Sequence, residues 1–188
     1  MFDVDEVRPG QSDVADITIS IYGEASANAA APSTTNFDMS SRTATAAAVM
    51  WQPEVSANVH DELKTPDLAE IVTEIIGMDG WAQLNPMCIM FGHTSGAGVR
   101  WVESSSTLND MQTPALMFET DAVCGGSCST QTGITSINSP LDSAEEDIAA
   151  GTMYLDSSDL ELMHDGADSK QVRKTPSWPR SWANFSLL

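Results

Sequence analysis

Positive charge is the scarcest property of this chain. Its 188 residues hold 8 Lys and Arg against 27 Asp and Glu, a formal net charge of −19. The scarcity is uneven. Lys170, Arg173, Lys174 and Arg180 fall within 170–188, which has no acid, so the other 169 residues carry 27 acids and 4 bases, a net of −23. A body this acidic repels phosphate, so nucleic acid is not an expected partner. Anionic membrane surfaces are disfavoured for the same reason. Divalent cations or an ionic mineral surface are attracted instead. Plain solubility accounts for the same composition with no specific partner.

Long apolar runs are also lacking. Nothing approaches the roughly 18 residues of a helical membrane span, so membrane insertion is not expected. The start, Met1-Phe2-Asp3-Val4-Asp5-Glu6, is acidic where a secretory signal is basic and then apolar. Cysteine is sparse, with three in the chain. Cys88 lies in the apolar run Met87–Phe91 and reads as a buried small hydrophobe. Cys124 and Cys128 flank Gly125, Gly126 and Ser127 in a small-residue stretch. A disulfide between them would suit an oxidising compartment. A metal site there would need two further ligands, and none is near in sequence.

What is present reads as mainly β. Asp16–Tyr22 alternates polar and apolar, β-branched residues, the pattern of a half-buried strand. Thr43–Trp51 is a second strand candidate. Met87–Gly92 is a continuous apolar run, expected to be buried on both faces. The glycine-rich Gly92–Gly98 predicts a tight turn, making a hairpin with Val99–Val102. Pro114–Glu119 reads as a closing strand. One helix is signalled over 65–76: Thr65 as N-cap, Pro66 at the first position and Asp67 in the first turn. Leu68, Ile71, Val72, Ile75 and Ile76 then form one apolar stripe, and Gly77 follows as a stop. Trp81 is placed to seal its docking. Residues 122–143 are Gly, Ser and Thr-rich and read as a linker. Short strands are expected within 150–155 and 160–163. From Lys170 the composition turns basic and aperiodic, which reads as a disordered tail.

The segments ISIYGEASANAA at 19–30, SSRTATAAAVMW at 40–51, TPDLAEIVTEIIGMDGW at 65–81, GAGVRWVESS at 96–105 and TPALMFE at 113–119 occur in an order that resembles a repeated β-sandwich module. That module recurs in large secreted and cell-surface proteins of bacteria and some algae and marine eukaryotes. The segment AEEDIAAGTMYLDSSDLELMHDGADSKQV at 144–172 resembles the opening of the same module. The resemblance implies an antiparallel, jelly-roll-like β-sandwich with one docked helix, without enzymatic chemistry, in an extracellular or cell-surface setting. It also implies that residues 1–121 are one module lacking its first strands. Residues 144–169 then open a second copy, or fold back to complete the first, and the chain reads as an internal piece of a repeat protein.

Candidate chemistry is thin. Gly92-His93-Thr94-Ser95-Gly96 has Thr94 where a nucleophile elbow needs its nucleophile, and it sits in an expected turn. Gly96-Ala97-Gly98 has no following Lys and is no phosphate loop. His60-Asp61-Glu62 reads as a solvated loop. Calcium is the cofactor the carboxylates suit best, since hard cations gather six to eight oxygens. Asp156, Asp159 and Glu161 supply three within six residues, with Asp165 and Asp168 just beyond, and Asp3, Asp5 and Glu6 make a second cluster. Neither matches an EF-hand, and a solvated acidic turn explains both. Trp101 is the aromatic considered for stacking on a glycan, against core packing. The expected function is a non-catalytic structural or adhesive module, calcium-stabilised, touching glycans or neighbouring modules. The rivals are an accessory carbohydrate-binding domain of a larger hydrolase and an acidic matrix protein that binds cations or mineral diffusely.

Overall fold

The computed structural model describes residues 1–188 apart from 8–14, 57, 105–112, 122–129, 138–141, 148, 156, 158, 164–169 and 175–188. The described residues are mainly β, with several antiparallel sheets and one short helix. The strands are β1 (Phe2–Glu6), β2 (Ile17–Glu24), β3 (Ala44–Trp51), β4 (Glu62–Leu63), β5 (Ile89–Gly96) and β6 (Val99–Glu103). They continue with β7 (Ala115–Asp121), β8 (Thr130–Ser136), β9 (Ser143–Asp147), β10 (Met153–Tyr154), β11 (Asp159–Met163) and β12 (Lys170–Lys174). The helix α1 is Ala69–Ile76. A four-stranded sheet runs β11-β6-β1-β4, a six-stranded sheet runs β10-β9-β12-β5-β2-β3, and β7 pairs with β8 alone.

The alternation in β2 does what its pattern dictates. Ile17, Ile19 and Ile21 are buried and their neighbours are half-buried. These three share one apolar core with Val4, Val102, Leu160 and Leu162 from the smaller sheet and with Ile71 and Ile75 from α1. Each such side chain contributes about 1.5–3 kcal/mol on full burial. Phe2 lies against Trp51 at a centroid distance of 5.9 Å and meets Phe91 edge-on at 5.3 Å. The apolar run of β5 is buried on both faces, as its composition predicts. Ile89 and Phe91 join this core, while Cys88 and Met90 join a second cluster with Met39, Ala144 and Met153 on the opposite face.

Several expectations are corrected. β5 and β6 do not form a hairpin: β5 pairs with β2 and β12, and β6 with β1 and β11, so the chain crosses between sheets at Ala97–Gly98. The predicted turn over Gly92–Gly98 is mostly strand, since β5 continues to Gly96. Gly96 is at φ +93, and a Cβ there would lie 2.2 Å from the Asp16 carbonyl oxygen, so only glycine makes the crossing. The helix begins at Ala69 rather than Thr65, and no side chain caps it at Leu68. Asp67 Oδ1 instead accepts from the Ala69 N–H at 2.9 Å. The Gly77 N–H donates to the Thr73 carbonyl, and Gly77 stays right-handed. Residues 130–136 of the expected linker are strand β8, and residues 170–174 of the expected disordered tail are strand β12.

The C-terminal strands belong to the same sheets as residues 1–121. β12 lies between β5 and β9, and β11 runs antiparallel along β6 from Asp159↔Glu103 to Met163↔Val99. A buried contact fastens this part to the loop after β2. Glu146 Oε2 accepts the N–H groups of Met39 and Ser40, each at 2.9 Å. The Phe37 N–H also donates to the Gly151 carbonyl at 2.8 Å.

Candidate functional site

The residues singled out from the sequence do not converge. Trp101 lies on β6, 5% exposed and within the main core, so its ring faces packed side chains rather than a ligand. Asp159 and Glu161 lie on β11 opposite Glu103 and Trp101, and Asp156 is outside the described residues. Cys124 and Cys128 are also outside them, as are Asp165 and Asp168. Asp3, Asp5 and Glu6 are on β1. Burial and the charge of Glu62 both push the Asp3 carboxyl above its ordinary value. Asp61 serves a turn, accepting the Asn58 N–H at 3.0 Å, and Glu62 makes an exposed ion pair with Lys64. Thr94 and Ser95 are exposed on β5, and His93 Nε2 is 3.0 Å from the Gly96 carbonyl oxygen. Among the described residues no three His, Cys, Asp or Glu side chains are grouped to hold a metal ion.

A concavity lies elsewhere. A cavity of about 460 Å³ opens between α1, the first residues of β1, β5 and the β7–β8 pair. That volume lies within the range of small-molecule sites, and its lining is mostly apolar.

Each wall follows from local sequence. The helix stripe buries Ile71 and Ile75 fully, which leaves its flanking members Leu68, Val72 and Ile76 half-buried at the cavity. They can turn there because α1 lies close on β2: a Cβ on Gly23 would be 2.7 Å from Ile75 Cδ1 and 3.0 Å from Ile71 Cγ2. After the helix, the Met78 N–H donates to the Ile75 carbonyl and the Trp81 N–H to the Met78 carbonyl. This tight return carries Trp81 back against the core, where it joins the cavity wall. Opposite stands the β7–β8 pair, with Leu116 facing Thr135 in register. A two-way backbone pair holds it to the fold: the Ala115 N–H donates to the Met1 carbonyl at 3.0 Å, and the Met1 nitrogen donates to the Ala115 carbonyl at 2.9 Å.

Two polar atoms in this wall are anomalous. Trp81 Nε1 and Thr135 Oγ1 are both shielded from solvent, and among the described residues neither has a hydrogen-bond partner. Thr135 is 2% exposed. Buried polar groups are ordinarily paired, and an orphan costs about 1–3 kcal/mol. Both belong to residues that line the mostly apolar cavity, although neither atom is itself exposed there. Charge at the cavity comes from Asp67 and Glu119 against the Met1 ammonium, which donates to the Ala115 carbonyl, and Lys64, whose ammonium is 3.2 Å from Glu62. Sequence reading picked out Trp81 and the helix stripe but assigned both to core docking. Thr135 was hidden in what read as a linker. The one available signal was a stripe wider than an eight-residue helix can bury on a single neighbour.

No protein-family model, no curated protein and no solved structure matches the chain, so the resemblance to a repeated β-sandwich module stands on the quoted segments alone.

Proposed function

We propose that this chain is a non-catalytic binding module, built as a β-sandwich and belonging to a secreted or cell-surface protein, that takes a small apolar ligand in the cavity between α1 and the β7–β8 pair. The observation that carries the reading is the pairing of an apolar cavity of about 460 Å³ with two orphaned polar atoms in its wall. Binding sites combine apolar lining with a few polar groups that fix orientation. Sites that break local rules of polar satisfaction are where function is expected. With Trp101 5% exposed, its burial lends no support to a glycan platform there. Calcium stabilisation through Asp156, Asp159 and Glu161 rests on the sequence alone.

A neutral solvatochromic dye such as Nile red tests the reading. It should bind saturably with a blue-shifted emission. Ala69→Trp, which places an indole at the exposed rim of the cavity, should abolish or strongly weaken that binding without lowering the melting temperature. Dye uptake that is unsaturable, or equal in the two proteins, would remove the cavity from consideration.

A further inference from the structure

We infer that the ligand is an uncharged amphiphile, a hydrocarbon body bearing one hydroxyl or carbonyl oxygen, and that this oxygen pairs with the Trp81 indole N–H and the Thr135 hydroxyl. The inference deepens the binding reading above and rests on it.

The argument proceeds by elimination over head groups. An indole nitrogen only donates, while a threonine hydroxyl both donates and accepts. A ligand atom that satisfies the indole must therefore be an acceptor. An ammonium head has no acceptor and leaves Trp81 Nε1 as it is. A carboxylate accepts, but it would add a third negative charge beside Asp67 and Glu119 in a chain of net charge −19, where Lys64 is already engaged by Glu62 and the Met1 ammonium by the Ala115 carbonyl. A sugar needs many polar partners, and walls built from residues such as Leu68, Val72, Ile76 and Leu116 do not supply them. A bare hydrocarbon fills the volume yet leaves both orphans unpaired. A single neutral oxygen accepts from the indole and exchanges a hydrogen bond with the hydroxyl. Both atoms are closed to solvent in the structure, so ligand oxygen and water alike reach them only when the side chains turn. Both residues already line the cavity, so contact needs side-chain rotation and no rearrangement of strands.

The test is displacement of Nile red by four probes of equal chain length: decane, decanol, decanoate and decylammonium. Each is measured on the unaltered protein, on Trp81→Phe and on Thr135→Val. Decanol should displace best. Each substitution should weaken decanol roughly three- to ten-fold, the loss of one hydrogen bond, and leave decane unchanged. The Trp81 indole N–H resonance should shift with decanol and not with decane. Should Trp81→Phe fail to fold, Thr135→Val and the indole resonance carry the test. Decanol binding alike in all three proteins, or decanoate outcompeting decanol, would overturn the head-group assignment while leaving the cavity a binding site. Failure of the dye and all four probes to bind would overturn both.

Discussion

The carboxylate of Glu74 on α1 accepts two consecutive backbone N–H groups of β3, Ala46 at 2.8 Å and Ala47 at 2.7 Å. β3 is an edge strand, and its register against β2 slips where Tyr22 pairs with Ala48 but Glu24 pairs with Ala44. The extra residues form a bulge, whose N–H groups cannot all find the neighbouring strand. Thr45 satisfies part of it, accepting from the Gly23 N–H and donating to the Ala47 carbonyl. Glu74 satisfies the outward part and so ties the helix to the edge it covers.

Glu74→Ala should therefore destabilise the fold by about 1–3 kcal/mol, the range for hydrogen bonds to a charged acceptor, as read from urea unfolding. Glu74→Gln should lie between the two, since its single carbonyl oxygen accepts while its amide repels an N–H. Loss of the cap also frees strand edge, so the Ala variant should aggregate sooner on heating. Stability equal to that of the parent would mean the contact is not formed in solution.

Thr135→Val should raise stability by about 1 kcal/mol, because it removes an orphaned hydroxyl and keeps the shape. Thermal unfolding with and without decanol checks this. The variant should gain in the absence of ligand and lose part of that gain in its presence. A destabilised variant would show that the hydroxyl has a partner.

Acid should loosen the loop between β2 and β3. Burial pushes the Asp38 carboxyl up, but the Ser33 N–H at 2.6 Å and the Arg42 guanidinium outweigh it, and its net shift is below the ordinary value of 3.8. Arg42 also bonds Glu24 at 2.8 Å and the Ala30 carbonyl at 2.7 Å, so one guanidinium gathers the loop. A carboxyl with a depressed folded pKa stabilises fully above its unfolded value and loses that contribution as pH falls through the folded one. Asp38→Asn should thus be less stable than the parent at neutral pH, with the difference closing below about pH 3.8. A constant gap from neutral pH down to strong acid would show that the charge of Asp38 is irrelevant.

A chain ending at Asp121 should not unfold cooperatively. It would lack β12 and β11, which cover the β5 and β6 edges, and with β11 the core residues Leu160 and Leu162. Circular dichroism on heating reads this. Limited proteolysis of the whole chain should not release a folded 1–121 piece.

The apolar elements were legible in sequence because one force set them. The alternation in β2 and the unbroken run in β5 each record which faces meet water, and burial follows both. Local signals misled where tertiary contacts decide. Ser143–Asp147 has no apolar alternation to mark a strand, yet it is β9, with Glu145 and Glu146 buried and the Met39 and Ser40 N–H groups across the loop donating to Glu146 Oε2. The crossing at Ala97–Gly98 looks like a hairpin because its glycines suit either geometry, and only the partners of β5 and β6 distinguish them. Gly133 read as linker, but Phe118 lies over the space its missing side chain leaves, with a Cβ there 2.3 Å from the ring. The cavity was invisible because it arises between elements as far apart in sequence as β1 and β8.

The position of β12 fixes the order in which the larger sheet can be completed. It is the last described strand in the chain, yet it lies between β5 and β9, both made earlier. During synthesis each of those strands carries one unpaired edge until residues 170–174 emerge, and neither can close on the other without expelling the strand still to come. The larger sheet is continuous only with β12 in place, so completing it is an insertion between two strands rather than an addition at a rim. Of the four basic residues near the C-terminus, Lys170, Arg173 and Lys174 arrive in that last strand. They bring positive charge to an acidic, half-built sheet at the moment of closure.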